Sequence, residues 1–149
     1  MENIAKNRNA RFNYEIMEKH EAGIVLSGTE IKSIRANRVA INEAYVVERN
    51  HELFLVNAYI PEYEQGNQFN HIPNRTRKLL ANKKEIGKMA VATKQNGLTL
   101  VPLSMYFKGR WVKLLVGVCR GKTKRDKRED KAKREAQREI DKAIKLTNR

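Results

Sequence analysis

Cysteine occurs once in these 149 residues, tryptophan once and proline three times, and aromatic side chains make up 7% of the chain. A single cysteine excludes an intrachain disulfide and cannot form a zinc site by itself. Cys119 lies in the apolar run LLVGVC, where a packed core thiol is expected. No hydrophobic stretch approaches the roughly 20 residues that cross a bilayer, and the first residues, MENIAKNRNARF, lack the apolar centre of a signal peptide. A reducing, cytoplasmic setting fits.

Patterns that carry catalysis are missing as well. His20, His51 and His71 have no zinc spacing, no partner cysteines and no HExxH-like arrangement. His51 reads as a turn residue and His71 as a loop residue. Gly87, Gly97 and Gly109 are scattered, so no phosphate-cradling glycine loop is formed, and no serine sits in a nucleophile elbow. Glu62 and Glu64 belong to a charged loop, where solvation explains them. The expectation is a protein without catalytic residues, metal or cofactor.

Acidic residues are also scarce: 17 Asp+Glu face 31 Lys+Arg, leaving a net charge of +14. Residues 120–149 hold thirteen of the cations and six of the acids, so half the excess sits in the last fifth. The rest is basic too, which makes a polyanion the expected partner. The division is into a body, 1–119, and a basic tail, 120–149.

Within the body, short strand-like runs alternate with turn signals. Residues 1–13 are polar and predicted irregular. Gly23-Ile24-Val25-Leu26 reads as a strand, and Ser27 with Glu30 resembles a capping box opening a short helix through TEIKSIR. The runs Ala44–Val47 and Leu53–Val56 flank Arg49-Asn50-His51, and asparagine tolerates the left-handed backbone of a hairpin turn. A long loop, PEYEQGNQFNHIPNRTR, follows. Asn82 to Glu85 opens a second helix, with Leu79, Leu80, Ile86 and Met89 near one side, ended by Asn96-Gly97. LTLVPL, SMYFK and WVKLLVGV then complete the body as strands. In the last, Val112, Leu114, Val116 and Val118 alternate as one buried face. Antiparallel strands with two inserted helices suit a small closed barrel.

What remains for function is binding. Arg75, Arg77 and Lys78 stand beside Leu79-Leu80, and cations next to an apolar neighbour suit RNA. A solvated loop with its leucines in the core reads equally well for that segment.

Four blocks then carry a resemblance. EAGIVLSGTEIKSIRANRV (21–39), NRTRKLLANKKEI (74–86), GLTLVPLSMYF (97–107) and GKTKRDKRED (121–130) resemble the signature stretches of the SmpB family, the bacterial SsrA-binding proteins. They occur in the family's order and spacing, over nearly the whole chain. The resemblance implies an oligonucleotide-binding-like (OB-like), mainly β antiparallel barrel with two to three short helices and a basic C-terminal tail. It implies binding to the tRNA-like domain of transfer-messenger RNA and delivery to stalled ribosomes for trans-translation. Elongation factor Tu and alanyl-tRNA synthetase would then be indirect partners through the RNA. Matched position by position, the barrel's RNA contacts fall on Asn7, Glu21 and Leu80, with Lys78 beside the last. Glu21 would accept hydrogen bonds from base amino groups or a ribose 2′-hydroxyl. The tail's ribosome contacts fall within Gly121, Lys122, Lys124, Arg125, Asp126, Lys127 and Arg128. Arg125 departs from the family, which commonly has His or Tyr there to stack on a ribosomal base; Ala136 stands near a position where some members have tryptophan.

The tail has no internal proline or glycine between 122 and 149, and Ala132, Ala136, Ile140, Ala143 and Ile144 follow helical spacing. Burying an Ile or Leu yields about 1.5–3 kcal/mol, against roughly 1–2 kcal/mol to fix each residue's backbone. The free tail is therefore predicted disordered or fraying, and helical when bound to RNA. In the resemblance it occupies the empty messenger track and decoding centre, substituting for codon–anticodon pairing. A general single-strand-binding barrel would display more stacking aromatics. A membrane-surface helix would need bulkier apolar residues than an alanine stripe. A generic basic RNA-binding or ribosome-associated protein differs only in lacking the four blocks.

Overall fold

The computed structural model describes residues 2–122 and 124–147; the side chains at 67, 68, 124–126, 130 and 144–147 lie outside the described set. Among the described residues seven strands are formed: β1 (Glu2–Lys6), β2 (Tyr14–Ile24), β3 (Tyr45–Arg49), β4 (Glu52–Val56), β5 (Arg77–Leu80), β6 (Thr99–Lys108) and β7 (Trp111–Gly121). The helices are α1 (Ala10–Asn13), α2 (Gly28–Ala36), α3 (Lys83–Lys94) and α4 (Lys124–Thr147), with a 3₁₀ segment over Glu64–Phe69.

All pairings are antiparallel, in the order β1-β6-β3-β4-β5-β2-β7, and β6 also pairs β7. Six strands thus close into a ring. β6 shares its other edge: Leu100 pairs Val46 of β3, and Ser104 to Phe107 pair β1. The changeover lies beside Pro102, which has no N–H for a ladder, and the register against β7 shifts between Pro102 and Ser104. A second irregularity in β2, between Ile16 and Glu18, leaves Met17 outside the ladder and exposed. Such bulges bend long strands and help a barrel close.

Inside, Val112, Leu114, Val116 and Val118 are buried as their alternation predicts, against Val46, Leu53, Leu55, Leu79, Leu100 and Met105. Helix α3 adds Ile86 and Met89, and α2 adds Ile34. The capping box at α2 is present: the Glu30 N–H donates to Ser27 Oγ at 3.3 Å, and the Ser27 N–H donates to Glu30 Oε1 at 2.9 Å. Asn82 caps α3 by accepting from the Glu85 N–H at 3.0 Å. Asn50 and His51, at φ 52° and 64°, form the β3–β4 turn. Cys119 is a buried thiol, pushed up to about 11 by that burial.

Three local expectations are corrected. Within the stretch read as irregular, Glu2–Lys6 form β1 and Ala10–Asn13 form α1; β1 adds to an edge with one face open, so its polar composition hides it. Leu79 and Leu80 belong to β5 rather than to the flank of α3. The strand read at Gly23–Leu26 is the end of the 11-residue β2, which stops at Ile24.

The tail leaves the barrel as α4, a 24-residue helix that meets the body at α1. The Lys122 N–H donates to Asn13 O at 2.9 Å and Lys122 Nζ to Arg11 O at 2.7 Å. Beyond them Lys127 and Arg134 stand over the Phe12 ring, 5.9 and 5.6 Å from its centroid. These cations are seven residues apart, two helical turns, and so share one face. Ala132, Ala136 and Ile140 are exposed, and the side chains of Ile144 and Leu146 fall outside the described residues.

Candidate nucleic-acid interface

Registers across β5, β2, β7 and β6 place several side chains on the barrel's outer face. Leu80 faces Gly23, Gly23 faces Lys113, and Lys113 faces Tyr106. A Cβ built on Gly23 would lie 3.6 Å from the Leu80 Cβ and 3.8 Å from Lys113 Nζ, so all three point to one side. In the next outward row Glu21 faces Leu115, Leu115 faces Ser104, and Ser104 faces Lys6. The opposite sides of these strands carry Ala22, Leu114 and Met105 into the core.

Glu21 sits among cations. Tyr106 Oη donates to one carboxylate oxygen and Lys108 Nζ donates to the other at 3.1 Å. Those hydrogen bonds, with the charges of Lys108 and Lys113, hold its carboxyl below the usual carboxylate range. Tyr106, desolvated and tied to that carboxylate, is pushed up to about 12 and stays a donor. The side chain of Glu21 remains 35% exposed, leaving acceptor capacity toward solvent. Leu80 is 54% exposed beside it.

Asn7 closes the adjoining groove of about 350 Å³, whose walls include Lys6, Arg8, Lys19 and Leu115. Its backbone N–H donates to Leu103 O and its Nδ2 to Pro102 O, each at 2.9 Å. Among the described residues its Oδ1 is buried without a hydrogen-bond partner. The amide therefore fixes the β1–α1 turn to the bulge in β6.

The basic cluster at 75–78 divides. Arg77 is fully buried and is withdrawn as an RNA contact. Its Nε donates to Glu30, its Nη1 to Ala58 O at 2.8 Å and its Nη2 to Pro73 O at 2.9 Å. Arg75 is partly exposed but also donates to Glu30. Burial alone would push Glu30 up; hydrogen bonds from Arg75, the Ser27 N–H and Arg77, with the Arg77 charge, hold it down to about 2. This network ties α2 to the start of β5. Lys78 is exposed, with Nζ 3.7 Å from Glu52.

Gly121 and Lys122 lie at the barrel–tail junction, and Lys127 and Arg128 on α4 are described. The side chains of Lys124, Arg125 and Asp126 are outside the described residues. Lys6, Lys19, Lys108, Lys113 and Tyr106 were missed by sequence reasoning. The outward positions of WVKLLVGV, complementary to its buried alternation, were the signal for Lys113; Tyr106 required the register. Among the described residues no group of His, Cys, Asp or Glu could hold a metal, and no helix is long and apolar enough to cross a membrane.

The family model for SmpB protein matches residues 4–146. The SsrA-binding protein of Carboxydothermus hydrogenoformans is 53% identical over 141 residues, 95% of this chain and 95% of that protein. That of Microcystis aeruginosa is 54% identical over 143 residues, covering 95% of this chain and 93% of its own. A solved structure described as "tmRNA-SmpB: a journey to the center of the bacterial ribosome" superposes with a TM-score of 0.67 at 45% identity. It covers 84% of this chain and 92% of that one.

Proposed function

The chain belongs to the SmpB protein family, and from that premise we propose how it binds transfer-messenger RNA and delivers it to stalled ribosomes for trans-translation. The outer face of β5, β2, β7 and β6 receives the tRNA-like domain. Lys6, Lys19, Lys78 and Lys113 supply phosphate attraction and counterion release, which position the RNA without reading it. Glu21 supplies discrimination. Held ionised and oriented by Tyr106 and Lys108, it accepts from a base amino group or a 2′-hydroxyl. Leu80 packs against an unstacked base or ribose, and Asn7 sets the neighbouring turn.

The tail, from about residue 120 onward, acts on the ribosome. Gly121, Lys122, Lys124, Arg125, Asp126, Lys127 and Arg128 engage the rRNA of the decoding centre and messenger track, where α4 stands in for codon–anticodon pairing. Arg125 takes the family's stacking position, since a guanidinium also stacks. Elongation factor Tu and alanyl-tRNA synthetase are reached through the bound RNA. Acting on ribosomes, the protein works in the cytoplasm.

The observation that carries this reading is the ionised, pinned Glu21 on a lysine-rich face. Binding of labelled tRNA-like domain and of an ordinary tRNA tests it. Glu21→Ala is expected to remove the preference between the two, costing the cognate RNA about tenfold, the loss of one good hydrogen-bonded contact. Lys113→Ala is expected to weaken both RNAs alike and reduce the salt slope by about 1. A preference that survives Glu21→Ala would leave a generic basic binder.

A further inference from the structure

The β6–β7 hairpin carries the chain's single tryptophan to the edge of this face. Gly109, at φ 61°, turns the chain; Lys108 and Trp111 face each other across the turn, and Arg110 is exposed. By alternation along β7, Trp111 points to the same side as Lys113 and Leu115. Gly23 is the β2 residue opposite Lys113, and β2 ends one residue later, so the ladder does not reach Trp111. The side chain is 70% exposed. Val25, just past the end of β2, and Leu80 are exposed as well. Scattered exposed apolar residues need no explanation, but strand register puts these three toward one end of a lysine-rich face.

The indole is also left open by the chain's own cations. Lys32 stands over Tyr63 at 5.8 Å, Arg35 over Phe107 at 5.6 Å, and two cations over Phe12. Tryptophan attracts cations best, yet among the described residues none lies over Trp111. Arg110 and Lys113 flank it without covering it.

We propose that Trp111 is a base-stacking platform: an unstacked base of the bound RNA lies on its open indole face, while Arg110 and Lys113 take the neighbouring phosphates. A flat π surface accepts any base, so this contact adds affinity where Glu21 adds discrimination. The surrounding cations favour a polyanion over an apolar protein surface, which would have to bury them unpaired. The inference rests on the function proposed above and deepens it.

Trp111 is the only tryptophan, so its emission reports directly. In the full-length protein, titration with the tRNA-like domain is expected to quench that emission and to saturate with binding measured independently by anisotropy of labelled RNA. Trp111→Ala and Trp111→Leu are both expected to weaken binding about tenfold, and Trp111→Phe within threefold of the parent. Lys113→Ala is expected to weaken binding while leaving the quench at saturation unchanged. Melting temperatures of the variants identify any folding loss at this exposed position. Tight binding by the parent with unmoved emission, and by Trp111→Leu without loss, overturns the stacking role alone and leaves Trp111 to a partner other than RNA. If the parent does not bind this RNA, stacking and function fall together.

Discussion

Glu30 shows how one side chain can decide local stability. It completes the α2 capping box and neutralises the buried Arg77. Removing one member of a buried pair costs about 3–5 kcal/mol, whereas replacing both by apolar residues is often near neutral. Arg77→Met is therefore expected to lower stability by about that amount in urea unfolding, and Arg77→Met with Glu30→Leu to regain much of it. A double variant no better than the single would show that the ionic network is itself stabilising. The pH dependence follows from the same group. Its folded value, about 2, lies below the ordinary 4.5, so its contribution is complete above 4.5 and is lost as pH falls toward 2. Integrated, that is about 3 kcal/mol, and Glu30→Gln is expected to flatten acid unfolding in this range. This residue also marks what sequence could reveal. Ser27-x-x-Glu30 was legible as a cap because the partners are three apart. The pairing with Arg77 spans 47 positions and emerges only in the fold, which is why a buried arginine read as an RNA contact.

At the scale of elements, legibility followed the pattern on each strand. The buried face of β7 reads directly because Val112, Leu114, Val116 and Val118 alternate without exception. β5 does not: its inward residues are Arg77 and Leu79, its outward ones Lys78 and Leu80, so neither face has one character. β1 is short and half open, and its asparagine and charged residues mask it. The interface was split in the same way. Resemblance indicated Asn7, Glu21 and Leu80, but their neighbours Tyr106, Lys108 and Lys113 come from cross-strand register that no single segment contains. The tail helix α4 tests its own physics. Nearly all its described residues are exposed, and its main contacts with the body lie at α1. Each exposed cation–π contact contributes about 0.5–1 kcal/mol, so Phe12→Ala is expected to speed hydrogen exchange in the first turns of α4 and leave the barrel unchanged. Unaltered exchange would mean that Phe12 does not hold the helix. Ala136→Pro is expected to cost the helix about 3 kcal/mol, reducing ribosomal tagging at least tenfold while RNA affinity stays within twofold; equal tagging would show that α4 need not be continuous.

Across the whole molecule, charge is shared while the proposed function divides the work. Body and tail carry comparable positive excess, so both are drawn to RNA, and the barrel presents an oriented carboxylate, Glu21, among its lysines. Affinity should therefore fall steeply with salt for every RNA, and the preference for the tRNA-like domain should fall much less. The division is tested most directly by truncating after Lys122, which keeps β7 and its junction with α1 whole. Binding to the tRNA-like domain and tagging on a message without a stop codon are then measured side by side. The truncated protein is expected to keep its RNA preference at physiological salt and to support no tagging. Loss of that preference on truncation would place recognition in the tail and contradict a barrel that reads the RNA.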